Sequence, residues 1–304
     1  MSSEDKNERE EKHKVFKKKA GLKVWKFFNA IRLALFPDDI TCDICGDELT
    51  ADTRYNLCAE CMSKLPTVGE HICLVCGVPL LDESDFCIRC INTDREFSMN
   101  RAPLVYEGEA QKLILALKFG KKKYIAKTLG AMMADEFIRR KMSADIAVFV
   151  PMTESEERQR GFNQSELLAR EVADRLGLPL LPALVKTKDT SAQKQLTRKE
   201  REENLKDAFA CVFKEVKYRS ILLIDDVFTT GATANACAKA LTEAGASEVS
   251  VLTAAVTKRK VPFESADEDT LKANPNASGG KDKSTGAKED KTDVSDDTEN
   301  DNKA

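Results

Sequence analysis

The sequence predicts an α/β protein in which a mainly parallel sheet is flanked by helices and preceded by a small cysteine-rich region. Three observations support this fold class. Strand-like apolar segments alternate with helix-like segments between residues 97 and 261, an alternation typical of parallel sheets. Eight cysteines form four Cys-x-x-Cys pairs between Cys42 and Cys90. One apolar segment ends in two aspartates and leads into a threonine- and glycine-containing loop, Asp225 to Thr233.

Length and composition exclude several classes of protein. The chain has 304 residues, of which 42% are apolar and 33% charged, and this length allows two domains. No run of about 18 or more apolar residues occurs, so we expect no transmembrane helix. Residues 1–19 lack the apolar core of a secretory signal. Paired cysteines in such a chain indicate metal thiolates in a reducing compartment, and we therefore expect a cytoplasmic protein.

The two ends of the chain differ in composition from the middle. Residues 1–20 are rich in Lys and Glu, and residues 264–304 contain 12 acidic and 6 basic side chains. We expect a disordered charged head over 1–20 and a disordered acidic tail over 263–304. Apolar side chains at helical spacing predict an amphipathic helix over 21–37. This helix either docks on its own domain or binds a membrane surface or a partner.

The cysteine pairs have the spacing of ligands for two structural zinc ions. The Cys-x-x-Cys-Gly sequence that begins at Cys42 recurs 31 positions later at Cys73. Two such turns supply four thiolates, which complete a tetrahedral Zn²⁺ site and leave no position open. We predict two Zn²⁺ ions in a double zinc ribbon over 38–95, with either sequential or cross-braced pairing. The predicted ligands are Cys42, Cys45, Cys58, Cys61, Cys73, Cys76, Cys87 and Cys90.

The region over 96–262 is predicted to form the α/β domain. Gly177 and Gly245 follow two helical segments and are expected to end them. We expect this domain and the ribbons to have separate cores, so that Cys42→Ser would disrupt residues 40–92 and leave the downstream fold largely intact. The predicted strands are 147–150, 208–213, 221–224 and 249–256, and the predicted helices are 166–176 and 232–244.

The segment from Ile221 to Thr233 carries the strongest functional signal. A buried strand, two acids, a Thr/Gly loop and a helix follow one another, and open α/β sheets bind ligands at this end of their strands. The loop and the helix N-terminus offer N–H groups to an anion. Asp225 and Asp226 suit a neighbouring polyol, or one bound through Mg²⁺. The segment therefore predicts a phosphorylated sugar as ligand.

Two other acidic or phosphate-binding motifs fit this segment poorly. A Walker-type loop needs Gly-Lys-Ser/Thr, which is missing here. A response-regulator pocket places its acids at the start of the domain, whereas Asp225 and Asp226 come near its end.

The same segment closely resembles the 5-phosphoribosyl-1-pyrophosphate (PRPP) signature of type I phosphoribosyltransferases. Other segments, together with the paired zinc ribbons, resemble the ComF/GntX family. The resemblance covers about residues 36–257. It implies a type I phosphoribosyltransferase fold behind a double zinc ribbon, and some members of the family are linked to DNA uptake. The matching segments are Leu117–Phe119, Arg160–Gln164, Thr190–Leu196, Arg201–Asn204 and Ala208–Phe209.

The resemblance also implies roles for individual residues. Asp225 and Asp226 form the catalytic pair that engages the ribose hydroxyls, with Mg²⁺ bound alongside PRPP. The residues expected around the 5′-phosphate are Thr229, Thr230, Gly231, Ala232 and Thr233. Those expected around pyrophosphate are Val150, Pro151, Arg158, Arg160 and Arg201, with a flexible hood loop over Gln193–Asn204.

One departure from the family weakens the expectation of efficient transferase chemistry. Many members have basic residues directly after the position of Pro151, whereas this chain has Thr153–Glu157 with three glutamates. Acidic side chains near pyrophosphate are unfavourable.

Three functions are consistent with these patterns. The first is transfer of phosphoribose from PRPP to an unknown acceptor. The second is a ligand-binding factor without turnover that handles nucleic acid, in which the zinc ribbons or the Lys118–Lys123 run contact single-stranded DNA. The third makes the ribbons a docking platform for a DNA-uptake helicase or another partner. A homo-oligomer fits each of them.

Overall fold

The computed structural model describes residues 40–50, 53–187 and 208–258. The predicted charged head, the amphipathic helix over 21–37 and the acidic tail lie outside these residues. So do the predicted hood loop over 193–204 and Arg201. No helix in the described part of the chain is long and apolar enough to cross a membrane.

A parallel sheet of six strands forms the centre of the α/β region, as the sequence predicts. The strand order is β1-β8-β7-β3-β4, with β2 also paired to β8, and every pairing is parallel. The two central strands are nine residues long, and Ile221 to Ile224 are fully buried. The strands are β1 Met99–Arg101, β2 Leu104–Val105, β3 Ile146–Phe149, β4 Leu180–Leu181, β7 Ser220–Phe228 and β8 Glu248–Val256.

Local capping explains where the helices near the sheet begin. The Asn163 side chain accepts hydrogen bonds from the backbone N–H groups of Ser165 and Glu166, so it satisfies donors that a helix start leaves free. Thr153 and Glu156 form a reciprocal capping box one helix earlier. The helices are α1 Ala59–Ser63, α2 Ile88–Ile91, α3 Gly108–Phe119, α4 Ile125–Arg139, α5 Glu154–Arg160, α6 Gln164–Leu176 and α7 Ala232–Glu243.

Two strand predictions need correction. The segment 208–213 is a shorter strand, β6 Phe209–Cys211, and it pairs antiparallel with β5 Leu184–Lys186 in a separate two-stranded sheet. The segment 221–224 is longer than predicted, because β7 continues through both aspartates to Phe228. Asp225 stays in register with Thr253 of β8. The polar residues therefore lie inside the ladder and not in a loop after it.

The expectation of separate cores is wrong, because each ribbon packs into one of the two hydrophobic clusters that contain the sheet residues. The first ribbon (residues 40–50 and 53–65) contributes Cys42, Leu57, Cys61 and Leu65 to a cluster that includes Leu222 and Ile224. The second ribbon (residues 71–91) contributes Cys73, Cys76 and Cys87 to the other cluster, which includes Ile221 and Leu223. Successive side chains of a strand point to opposite faces. The two ribbons therefore belong to opposite faces of β7.

The second ribbon is also hydrogen-bonded to the edge of the sheet. The backbone N–H of Asn100 in β1 donates to the Val75 carbonyl at 2.7 Å, and its side-chain Nδ2 donates to the Cys76 carbonyl at 2.9 Å. Arg101 Nη1 donates to the Leu74 carbonyl at 2.9 Å. A Cβ atom on Gly77 would lie 2.5 Å from the Asn100 carbonyl oxygen, so only glycine permits this approach.

This shared core predicts that metal loss in the second ribbon destabilises the whole described fold. Cys73→Ser should lower the main unfolding temperature by about 10 °C or more, since structural zinc contributes directly to folding. Calorimetry of the full chain measures the unfolding temperature. Elemental analysis should find two zinc ions in the wild type and one in the variant. Cys211→Ser, outside both cysteine groups, serves as the control. A main transition that stays at the wild-type temperature in Cys73→Ser would show that the cores are separate.

Candidate functional site

The candidate site lies where β3 and β7 end at the same edge of the sheet. The two strands pair from Ile146 with Ile221 to Phe149 with Ile224. Directly after β3, the Val150 N–H donates to the Ile224 carbonyl at 3.0 Å. Asn163 Nδ2 donates to the Val150 carbonyl at 3.0 Å. These bonds place Val150 beside the aspartate pair and attach the start of α6 to the same edge.

Asp225 is held by hydrogen bonds and has an altered acidity. Its Oδ1 accepts from Ser165 Oγ and from the Asp226 N–H, both at 2.8 Å. Burial and the neighbouring charge of Asp226 raise the pKa of Asp225 to about 7. Ser165 was not identified from the sequence, where a serine in the first turn of a helix carries no distinctive signal.

Asp226 forms a buried ion pair and keeps one oxygen without a partner. Its Oδ1 lies 2.9 Å from Lys118 Nζ, and the two side chains are only 7% and 20% exposed. Within the described residues, its Oδ2 is buried and accepts no hydrogen bond. A buried unsatisfied polar atom is costly. This oxygen is therefore available to a ligand hydroxyl or to a hard cation such as Mg²⁺, which prefers oxygen donors.

Lys118 thus has a specific position that the lysine run alone did not reveal. It lies in the last turn of α3 and reaches the acids, whereas a run of lysines usually forms a solvated face. The only sequence signal was its place in the Leu117–Phe119 segment.

The Thr/Gly loop leads directly into α7. Thr230 Oγ1 accepts from the Ala232 N–H at 3.2 Å, and Gly231 has the left-handed φ of 81°. A Cβ atom on Gly231 would lie 2.5 Å from Phe228 Cζ. Glycine is therefore required by the protein's own packing, in addition to any ligand.

Arg95 reaches this loop from the second ribbon's side of the chain. Its Nη2 donates to the Thr230 carbonyl at 3.2 Å. This contact was not predicted from the sequence, because Arg95 and Thr230 are far apart in the chain and Arg95 belongs to no motif.

The predicted pyrophosphate residues are placed unequally. Arg160 Nη1 donates to Gln164 Oε1 at 2.5 Å, and its guanidinium lies 5.2 Å from the centre of the Phe119 ring, next to Lys118. Arg158 is 77% exposed and pairs with Glu154 on α5. Arg201 lies outside the described residues. Arg160 thus contacts the first residue of α6 and the last residue of α3, whereas Arg158 lies at the surface.

Nearby basic side chains offset much of the negative charge of the acidic segment after Pro151. Lys186 Nζ lies 3.1 Å from Glu156, which also caps α5. Burial opposes ionisation of Glu156, but bonds from Thr153 and Lys186 outweigh it and lower its pKa. Glu154 pairs with Arg158. The unfavourable charge that the sequence suggested is therefore reduced locally.

The cysteines form two sequential four-thiol groups. In each group the four sulfur atoms lie within 4.8 Å of one another, which fits one tetrahedral Zn²⁺ ion and excludes the cross-braced pairing. His71 belongs to neither group, and its Nε2 contacts the Asp82 carbonyl. The groups are Cys42, Cys45, Cys58 and Cys61, and Cys73, Cys76, Cys87 and Cys90.

Two family models match the chain, over different segments. The model of the double zinc ribbon domain matches residues 31–91, and that of the phosphoribosyl transferase domain matches residues 163–279. The first match covers all eight cysteines of the two groups, and the second covers β7 with both aspartates and the Thr229–Thr233 segment.

Proteins named for competence or for DNA utilization are similar to this chain over most of their own length. Competence protein F of Haemophilus influenzae is 30% identical over an alignment of 208 residues that covers 65% of this chain and 89% of that protein. DNA utilization protein YhgH of Escherichia coli is 29% identical, with 65% and 89% covered. Competence protein ComFC of Bacillus subtilis is 28% identical, with 68% and 90% covered.

The raised pKa of Asp225 predicts a stability that falls as pH rises. An ordinary Asp ionises near pH 4, whereas the folded chain keeps this proton up to about pH 7. The folded state therefore binds more protons between these values, and the free energy of unfolding decreases by up to about 1.4 kcal/mol per pH unit. Asp225→Asn should remove this slope in urea unfolding at fixed zinc concentration. Asp145→Asn, an exposed acid at the opposite edge, should retain it. Equal slopes in Asp225→Asn and wild type would rule out the assignment.

Proposed function

Because this chain belongs to the ComF/GntX family, with a double zinc ribbon before a phosphoribosyl transferase domain, we propose that it binds PRPP together with Mg²⁺ and transfers phosphoribose to an acceptor. The observation that carries the proposal is the aspartate pair beside the Thr229–Gly231 loop at the carboxyl edge of β3 and β7. Ligands of open α/β sheets bind at this edge.

The aspartates are suited to the two adjacent hydroxyls of a ribose. Asp226 Oδ2 is buried without a partner in the described structure, so a hydroxyl that donates to it relieves an unsatisfied acceptor. The ion pair between Asp226 Oδ1 and Lys118 can persist, because it uses the other oxygen. Asp225 is held in place by Ser165, which leaves its second oxygen for the neighbouring hydroxyl.

The start of α7 supplies the complementary site for a 5′-phosphate. The first turn of a helix has N–H groups without partners in the helix and a partial positive charge. Thr229 and Thr230 shortly precede this turn and Thr233 lies in it. Their hydroxyls can donate to phosphate oxygens. Thr229 is exposed, as a residue that meets an incoming ligand should be.

The transfer itself would occur at ribose C1. The acceptor nucleophile forms a bond to C1, the C1–O bond to pyrophosphate breaks, and pyrophosphate leaves with that electron pair. We assign Arg160 to the pyrophosphate, because its Nη1 lies 3.9 Å from Sδ of Met152, the residue directly after Val150 and Pro151. Mg²⁺, when bound with PRPP, neutralises the leaving group's charge. The aspartates orient the ribose and stabilise the positive charge that develops on it.

Calorimetric titration with PRPP and Mg²⁺ tests the proposal. Asp225→Asn combined with Asp226→Asn should weaken PRPP binding strongly, since each charge-assisted hydrogen bond contributes roughly 1.5–3 kcal/mol, or about one to two factors of ten in affinity. Binding of inorganic phosphate should stay nearly unchanged. Thr229→Val should weaken both ligands, because it removes a phosphate donor while keeping side-chain shape.

The control variant is Asp145→Asn, which removes an exposed carboxylate at the amino ends of the same strands. It should bind PRPP as the wild type does. Equal PRPP affinity in the wild type and the double Asn variant would remove the main support for a transferase. Gly231 variants are unsuitable, because their side chains would collide with Phe228.

A second candidate function is docking of a partner protein on the second ribbon, without turnover. Five large apolar side chains of this ribbon are exposed, whereas such side chains are usually buried. Residues 70–91 also contain four acidic side chains and one arginine, a balance that disfavours contact with DNA phosphates. The exposed residues are Leu74, Leu81, Phe86, Ile88 and Ile91.

Titration with single-stranded DNA at two salt concentrations tests whether the lysine run or the second ribbon binds nucleic acid. We expect Lys121→Met on the lysine run to weaken DNA binding and Ile88→Ser on the ribbon to leave it unchanged. DNA affinity that falls with Ile88→Ser would instead assign nucleic-acid binding to the ribbon.

A further inference from the structure

Arg95 lies at the boundary between the second ribbon and the α/β fold and contacts the Thr/Gly loop. It follows the last cysteine of the ribbon, Cys90, by five positions. Its Nη2 donates to the Thr230 carbonyl at 3.2 Å. Its Nη1 lies 3.2 Å from the point that a Cβ atom on Gly231 would occupy. The guanidinium is therefore directed at the residues that precede α7.

One donor of this guanidinium lacks an acceptor. Among the described residues, Arg95 Nε is buried and makes no hydrogen bond. The guanidinium also lies 5.8 Å from the centre of the Phe97 ring, so an apolar surface covers it on one side. A buried N–H without an acceptor is costly, and an anion in the loop would supply acceptors.

The chain segment that carries Arg95 is attached around the loop at successive points. The Glu96 N–H donates to Asn235 Oδ1 in the first turn of α7 at 2.9 Å. The Phe97 ring meets Phe228, the last residue of β7, edge to face with 5.9 Å between centroids. The Ser98 N–H donates to the Val249 carbonyl in β8 at 2.9 Å. Arg95 therefore has a fixed position relative to the loop.

We propose that Arg95 is a phosphate-binding residue of this site, contributed by the segment that links the second ribbon to the sheet. The inference rests on the proposed function and adds a cation to the 5′-phosphate end of the ligand. A guanidinium offers several donors in one plane, so it can hold the Thr230 carbonyl and a phosphate oxygen at once. The helix N-terminus and Arg95 then act on the same anion from two sides.

Titration of the full, zinc-loaded chain with ribose 5-phosphate tests the role of Arg95. Arg95→Met should reduce the affinity roughly tenfold or more and flatten its salt dependence, because a charge-assisted bond is lost. Arg95→Lys should recover part of the affinity, since it keeps the charge and loses the planar donors. Arg54→Met, which removes an exposed arginine of the first ribbon, should bind as the wild type does.

The outcomes separate this inference from the function it rests on. Wild-type affinity in Arg95→Met overturns the inference and leaves the proposed function intact. Equal losses in Arg95→Met and Arg95→Lys, with an unchanged salt dependence, also overturn it, because they would mean that Arg95 only anchors the Thr230 carbonyl. A wild type that binds no phosphorylated ribose overturns the proposed function. Inorganic phosphate is then the deciding probe. If phosphate does not bind the wild type, or binds Arg95→Met as tightly as the wild type, the inference is overturned as well.

Discussion

The central sheet is buried on both faces, and each cysteine ribbon contributes to the cover of one face. Cys42, Leu57 and Cys61 join the cluster around Leu222, while Cys73, Cys76 and Cys87 join the cluster around Leu223. A parallel sheet needs such cover, because its strands are apolar on both sides. The ribbons are therefore part of the same folded unit as the candidate site, and their metal contributes to its stability.

This packing also determines what the carboxyl edge of the sheet contains. β7 extends through Asp225 and Asp226 while still paired with β8, so the acids are fixed by the ladder. The two carboxylates have different surroundings. Asp225 accepts a hydrogen bond from Ser165 and has a raised pKa, whereas Asp226 forms an ion pair with Lys118. The segment between the second ribbon and the sheet adds Arg95 beside the loop. Residues from three other parts of the chain, Arg95, Lys118 and Ser165, thus contact β7 or the loop that follows it.

The sequence predicted those features that depend on local patterns. The parallel sheet follows from alternating apolar segments, and the cysteine groups follow from spacing. The order of two acids, a Thr/Gly loop and a helix also follows from the local pattern, although both acids lie in β7. It did not predict contacts between distant segments, such as Lys118 with Asp226 or Arg95 with Thr230, because one arginine or lysine gives no sign of where its long side chain ends. The separate cores were a wrong expectation for the same reason. Composition distinguishes the ribbons from the sheet, but only the three-dimensional packing reveals that side chains of both lie in the same hydrophobic clusters.

The claim that the carboxyl edge is a PRPP site is tested most directly by a crystal structure of the zinc-loaded chain with PRPP and Mg²⁺. The account predicts electron density for the 5′-phosphate at Thr229–Thr233 and for the ribose hydroxyls within hydrogen-bond distance, about 2.5–3.2 Å, of Asp225 and Asp226. Density for PRPP at another surface, with this edge empty at saturating ligand, would contradict it.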